Sequence, residues 1–149
     1  MVSLPDRRAH FVQSIKWAGA NWLVGVGLDP EGRAIEVFID LADPEAEVIP
    51  AVVRLVHSFA ITTSHYLRTG ARAADHATRL ECQDPDVMVL ALRAAAEIEA
   101  AHGPLVRKIE VWRRQRLAGE VIDITAELAE VRALVAAELA AEGLAEVTP

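Results

Sequence analysis

A chain of 149 residues, 52% apolar and 25% charged, has a folding composition and is long enough to bury a core without disulfides. Its single cysteine, Cys82, excludes an internal disulfide, and no apolar run reaches the ~20 residues of a membrane span. A net charge of −7 argues against a general nucleic-acid binder.

The opening "MVSLPDRRAHF" places Pro5 and Asp6 ahead of the basic pair and lacks an apolar core, so it does not read as a secretory signal. With one thiol and no membrane span, the expected compartment is the cytoplasm. Period-two alternation follows. Phe11, Ile15 and Trp17 share a face, with Gln13 the exception and His10, Ser14 and Lys16 opposite. Trp22, Val24, Val26 and Leu28 repeat the pattern, with Gly25 and Gly27 on the other side. Ile35, Val37 and Ile39 then alternate with Glu36, Phe38 and Asp40. Such alternation, rich in β-branched and aromatic residues, predicts half-buried antiparallel strands. "DPEGR" joins the last two, Pro30 presetting φ and Gly32 supplying the positive φ of a short hairpin loop. The expectation is a three-stranded meander covered on one face, with the strand glycines marking close approach of a helix.

From about residue 44 the period lengthens. Val52, Leu55, Val56, Phe59, Thr63, Tyr66 and Leu67 form a helical stripe that starts near Pro50 and stops at Gly70. "RAADHATRLE" reads as a short second helix. A third has Asp84 or Asp86 near its positive end, carries Val87, Leu90, Ala91, Ala94 and Ile98 on one stripe, and ends at Gly103. Pro104 suits the first turn of a fourth, with Leu105, Ile109 and Trp112 facing inward up to Gly119. The last helix, capped by Asp123 or Thr125, spaces Ile124, Leu128, Val131, Val135 and Leu139 as a packing seam. A short sheet followed by helices means an α+β fold: an N-terminal meander on a long helix, then an all-helical C-terminal extension. The expected division is 1–84 for the α+β domain and 85–149 for the extension, packed on the same core or forming an oligomer interface.

The hairpin "VGVGLDPEGRAIEVFID" and the helix end "SHYLRTG" resemble the TSCPD domain, found at the C-terminus of adenosylcobalamin-dependent ribonucleotide reductases and in small stand-alone proteins. That family has a similar Asp-x-x-Gly-Arg turn followed by Glu-Val-Phe-Ile, and a serine preceding a glycine at the end of a long helix, here Ser64 and Gly70. The resemblance covers roughly residues 9–80. It implies the fold and an accessory role. It does not carry over redox chemistry, because the family's neighbouring cysteines are reduced here to Cys82, and one thiol cannot form a dithiol couple.

Local motifs offer little chemistry. His57, His65 and His76 with Cys82 lack the spacing of a metal set. Cys82 sits between Glu81 and Asp84, neighbours that raise a thiol pKa. Ser64 and His65 are adjacent on a helix, as Glu97 and Glu99 are near-adjacent on another, so neither pair shares a face. No catalytic, metal or cofactor site is expected. Charge is more informative: an acidic stretch precedes a basic belt of Arg107, Lys108, Arg113, Arg114 and Arg116, and an acidic terminal helix follows. The belt reads as pairing with Glu127, Glu130, Glu138 and Glu142 of that helix, or else as a nucleic-acid site. The seam Ile124, Leu128, Val131, Val135 and Leu139 completes the monomer core or forms an interface between copies. The resulting expectation is a non-enzymatic accessory or interaction protein linked to ribonucleotide reduction or DNA metabolism. It would engage a protein partner or its own copy through the C-terminal helices. The alternatives are a nucleic-acid binder using residues 104–118 and a small enzyme with an intersubunit site.

Overall fold

Alternating side chains place the first three elements as antiparallel strands in the order β1-β2-β3: β1 (Ala9–Trp17), β2 (Ala20–Leu28) and β3 (Ala34–Leu41). The computed structural model describes residues 9–79, 86–121 and 124–143. Trp17 and Ala20 flank a two-residue turn in which Ala18 (φ 51°) and Gly19 (φ 72°) are both left-handed, the geometry that matches strand twist. The second turn is fixed by Asp29, whose Oδ1 accepts hydrogen bonds from the amides of Glu31 and Arg33, both at 2.9 Å. Gly32 there adopts φ 77°. Trp22, Val24, Val26 and Leu28 are buried on the inner face, as are Ile35, Val37 and Ile39.

The helices are α1 (Pro50–Arg68), α2 (Ala73–Arg79), α3 (Val87–Leu117) and α4 (Ile124–Ala141). Pro50 opens α1 and Gly70, at φ 102°, follows its end, as the sequence predicts. The buried stripe of α1 is Val56, Ala60, Thr63 and Leu67. Leu55 and Tyr66, expected inside, are 50% and 43% exposed. The reason is position: α1 runs along β3, at the border of the sheet, so a narrow stripe with a small Ala60 makes the contact.

The largest departure from expectation is α3. It does not end at Gly103 but continues through Pro104 to Leu117 as one helix. Proline inside a helix removes one backbone hydrogen bond and costs about 3 kcal/mol in isolation. Here tertiary contacts hold the turn that leads into Pro104. Gly103 lies against Gly32 so closely that a Cβ on Gly103 would stand 2.5 Å from the Gly32 carbonyl oxygen. One turn earlier the Glu99 carboxylate accepts the Ala34 amide at 2.8 Å, and the His102 ring stacks on Phe11 at 3.9 Å. The N-terminal half of α3, capped by Asp86 through the Val89 amide, contributes Val87, Ala91, Leu92, Ala94, Ala95 and Ile98 to the same core as the strands. Its C-terminal half, with α4 packed along it, forms a two-helix arm. Ile109, expected to face inward, is 52% exposed on that arm, where α4 meets the neighbouring side and Lys108 reaches Glu130.

The strand glycines also differ from expectation. No helix packs on them. A Cβ at Gly25 would meet Phe38, and one at Gly27 would meet Glu36 and His10, so the space is filled by side chains leaning in from the flanking strands. The outer face of the sheet therefore stays open, with Val12 at 66% exposure, Phe38 at 45% and Leu23 at 37%.

Candidate functional site

Three surfaces hold the residues singled out in the sequence. The first is the basic belt on the second half of α3. Arg113 donates to Glu110 through Nε at 2.8 Å and Nη2 at 2.7 Å, and Arg114 Nε reaches the same carboxylate at 3.0 Å. Hydrogen bonds from Arg113, and then from Arg114, hold the Glu110 carboxyl down at about 2. Glu110 in turn raises the Arg113 guanidinium above its ordinary value. Arg107 Nε donates to the Glu31 carbonyl at 3.1 Å, and Arg114 Nη2 to the Glu31 carboxylate at 3.3 Å. Lys108 reaches Glu130 at 3.3 Å and lies 5.9 Å from the centre of the Trp112 ring. Arg116 is exposed and enters no ion pair among the described residues. The belt is thus tied mainly to its own helix and to the β2–β3 turn. Of the acids expected to neutralise it, Glu130 does so, whereas Glu138 turns to His102 Nδ1.

The second surface is the seam of α4. Leu128 and Val135 are 39% and 42% exposed, Val131 and Leu139 are half-buried, and the Ile124 side chain lies outside the described residues. On α3 and the turn after it, Val111, Leu117 and Val121 are exposed at 42%, 74% and 96%. A pair of helices has two apolar stripes and one contact between them, so part of each stripe stays in water.

The third is a groove of about 530 Å³ between the outer side of β3 and α1, lined by Phe38, Asp40, His57, Ile61, His65 and Arg68 among others. His57 Nε2 faces Asp40 Oδ1 at 3.4 Å. Its floor is closed by Ser64, whose Oγ accepts the Val37 amide at 2.8 Å and faces the carbonyls of Val37 at 3.0 Å and Ala60 at 2.9 Å. With its proton directed to a backbone carbonyl and one lone pair taken by the Val37 amide, the Ser64 hydroxyl ties α1 to β3.

His76 lies edge-on to Tyr66 at 4.6 Å, away from the groove. Cys82, Asp84, Asp123 and the Thr125 and Glu127 side chains fall outside the described residues. Among the described residues no group of three His, Cys, Asp or Glu side chains could hold a metal ion, and no helix is long and apolar enough to cross a membrane. Sequence reasoning missed the Gly32–Gly103 contact, the Glu99 bond to β3 and the His102–Glu138 pair. The first left a trace: a glycine inside an alanine-rich apolar helical pattern can mark close packing. No family model, curated protein or solved structure matches the chain.

Proposed function

We propose that this chain is a non-enzymatic accessory protein whose two-helix arm binds a partner protein. The observation that carries the reading is the arm itself. It projects from a core that is complete without it, and it leaves Leu117, Val121, Leu128 and Val135 in water. Exposed apolar side chains gathered on one arm are where protein partners dock. The TSCPD resemblance sets the context as ribonucleotide reduction or DNA metabolism, by analogy of fold. In its support, the two stretches that carry the resemblance touch: Ser64 of "SHYLRTG" holds Val37 of the hairpin strand. Nucleic-acid binding is the weaker reading because Arg107, Lys108, Arg113 and Arg114 already have partners within the chain.

The test is capture on a tagged chain from cell lysate, with and without nuclease, beside a Leu128→Asp/Val135→Asp variant whose helix content is checked by circular dichroism. A reductase or replication protein retained after nuclease, and lost with the double variant, is the expected result. Retention of that protein by the double variant would remove the arm from the account. Material lost only after nuclease would transfer the role to the basic belt.

A further inference from the structure

The two borders of the sheet are not alike. In an antiparallel sheet the backbone N–H and C=O of one residue point to the same side, and successive residues alternate. Ser64 on the outer side of Val37 therefore places Ile35, Val37 and Ile39 outward on β3, and Glu36, Phe38 and Asp40 toward β2. The bond from the Ala42 amide to the Asn21 carbonyl at 3.0 Å fits the same phase. Carried across β2, the phase turns Phe11, Gln13 and Ile15 of β1 inward and leaves His10, Val12, Ser14 and Lys16 pointing their backbone groups away from the sheet. None of those four amides or carbonyls bonds to a described residue.

Proteins protect such borders with proline, bulges, inward charges or a covering element. The β3 border has α1 and Ser64. β1 carries only one edge-guarding residue, Lys16: over its 9 residues it has no proline, glycine or register shift, and no covering element among the described residues. Its inner-face side chains report the same exposure. Phe11, Ile15 and Trp17 are half-buried, while Trp22, Val24 and Val26 beside them on β2 are 0% exposed.

We propose that β1 pairs antiparallel with β1 of a second copy, joining two meanders into one continuous sheet. The strand is complementary to itself about Gln13. In that register His10 faces Lys16, Val12 faces Ser14, and each exchanges both backbone bonds with its counterpart. On the inner face Phe11 meets Ile15 and Ala9 meets Trp17, so the half-buried apolar row of each copy is covered by the other. The strand itself carries no carboxylate, and the acid that reaches its centre, Glu97, accepts the Gln13 side-chain amide at 2.7 Å. Sheet addition of this kind takes its affinity from main-chain bonds and its register from alternate side chains.

Val12→Pro tests the pairing selectively. Its amide points out of the sheet, so proline there deletes an intermolecular bond and leaves the β1–β2 ladder whole. Sedimentation of the full chain at high micromolar concentration should give twice 16.2 kDa for the wild type. Val12→Pro should give 16.2 kDa with an unchanged circular dichroism spectrum, and Leu128→Asp/Val135→Asp should remain double. A monomeric wild type overturns the proposal, as does a dimer that survives Val12→Pro or is lost with the α4 variant alone. Should Val12→Pro fail to fold, Gln13→Cys in a Cys82→Ala background decides. The two thiols would face each other at a non-hydrogen-bonded pair, where Cα atoms stand about 4.5 Å apart, and mild oxidation should link the copies. Failure to link would sink the register and the proposal together.

Discussion

Gly32 and Gly103 fit together only because neither has a side chain. A Cβ on Gly32 would stand 2.2 Å from the Gly103 carbonyl oxygen, and the reverse substitution is nearly as close. Helix propensity alone says that Gly103→Ala should stabilise α3 by about 1 kcal/mol. The contact says the opposite, because forcing apart two packed backbones costs about 1–3 kcal/mol. Net of the propensity gain the cost reaches about 2 kcal/mol, so we expect Gly103→Ala to lower the melting temperature by up to roughly 8 °C, at about 2–4 °C per kcal/mol for a chain of this size. Gly32→Ala should lower it further, since φ 77° adds its own strain of about 1–2 kcal/mol. Thermal unfolding followed by circular dichroism checks both, and a Gly103→Ala protein as stable as wild type would mean the contact is slack. Ser64 was legible as a motif residue. Its bond to Val37 was not, because nothing in a local pattern tells a helix that its hydroxyl will meet a strand 27 positions earlier.

Elements defined by their own periodicity were the readable ones. The three strands, the start of α1 at Pro50, its stop before Gly70 and an aspartate at the head of α3 all follow from spacing and turn chemistry within a short window. The split of α3 at Gly103 failed because that window contained the two strongest helix breakers, and the contacts that outweigh them come from β1 and the β2–β3 turn. The faces of α1 failed more mildly: a helix along a sheet border buries a narrower stripe than one lying over a face. Within α3 the Arg113–Glu110–Arg114 cluster makes a further prediction. With its carboxyl held at about 2 against an ordinary 4.5, Glu110 stabilises the folded chain at pH above 4.5, and that contribution disappears as pH falls through about 2. Both arginines are 60% exposed, so solvent screens the cluster and the effect on overall stability is small. The direct measurement is a carboxyl-carbon NMR titration, in which Arg113→Ala should move the Glu110 midpoint upward toward the ordinary carboxylate range. An unmoved midpoint would show that the paired geometry does not persist in solution.

At the scale of the molecule, the buried residues collect on the sheet, α1 and the first half of α3, and α4 touches this core mainly through its contact with α3. Local stability follows the density of buried contacts. Amide exchange should therefore be fastest in α4 among the long helices, with β2 and residues 87–98 slowest. Equal protection of α4 and β2 would mean that something covers the arm. The belt and the seam were visible in the sequence as charge and spacing. Which acids answer the belt was not, since Glu31 and Glu138 acquire their partners from the path of the chain. That path also gives the Ser64 hydroxyl a consequence for stoichiometry. A sheet receptive at both borders is a polymer in waiting, because every strand added offers a fresh border to the next. One receptive at a single border saturates after one addition. By sitting on the Val37 amide and carbonyl, Ser64 makes the far side of this sheet a dead end, and so sets a ceiling of one on what the near side can accumulate.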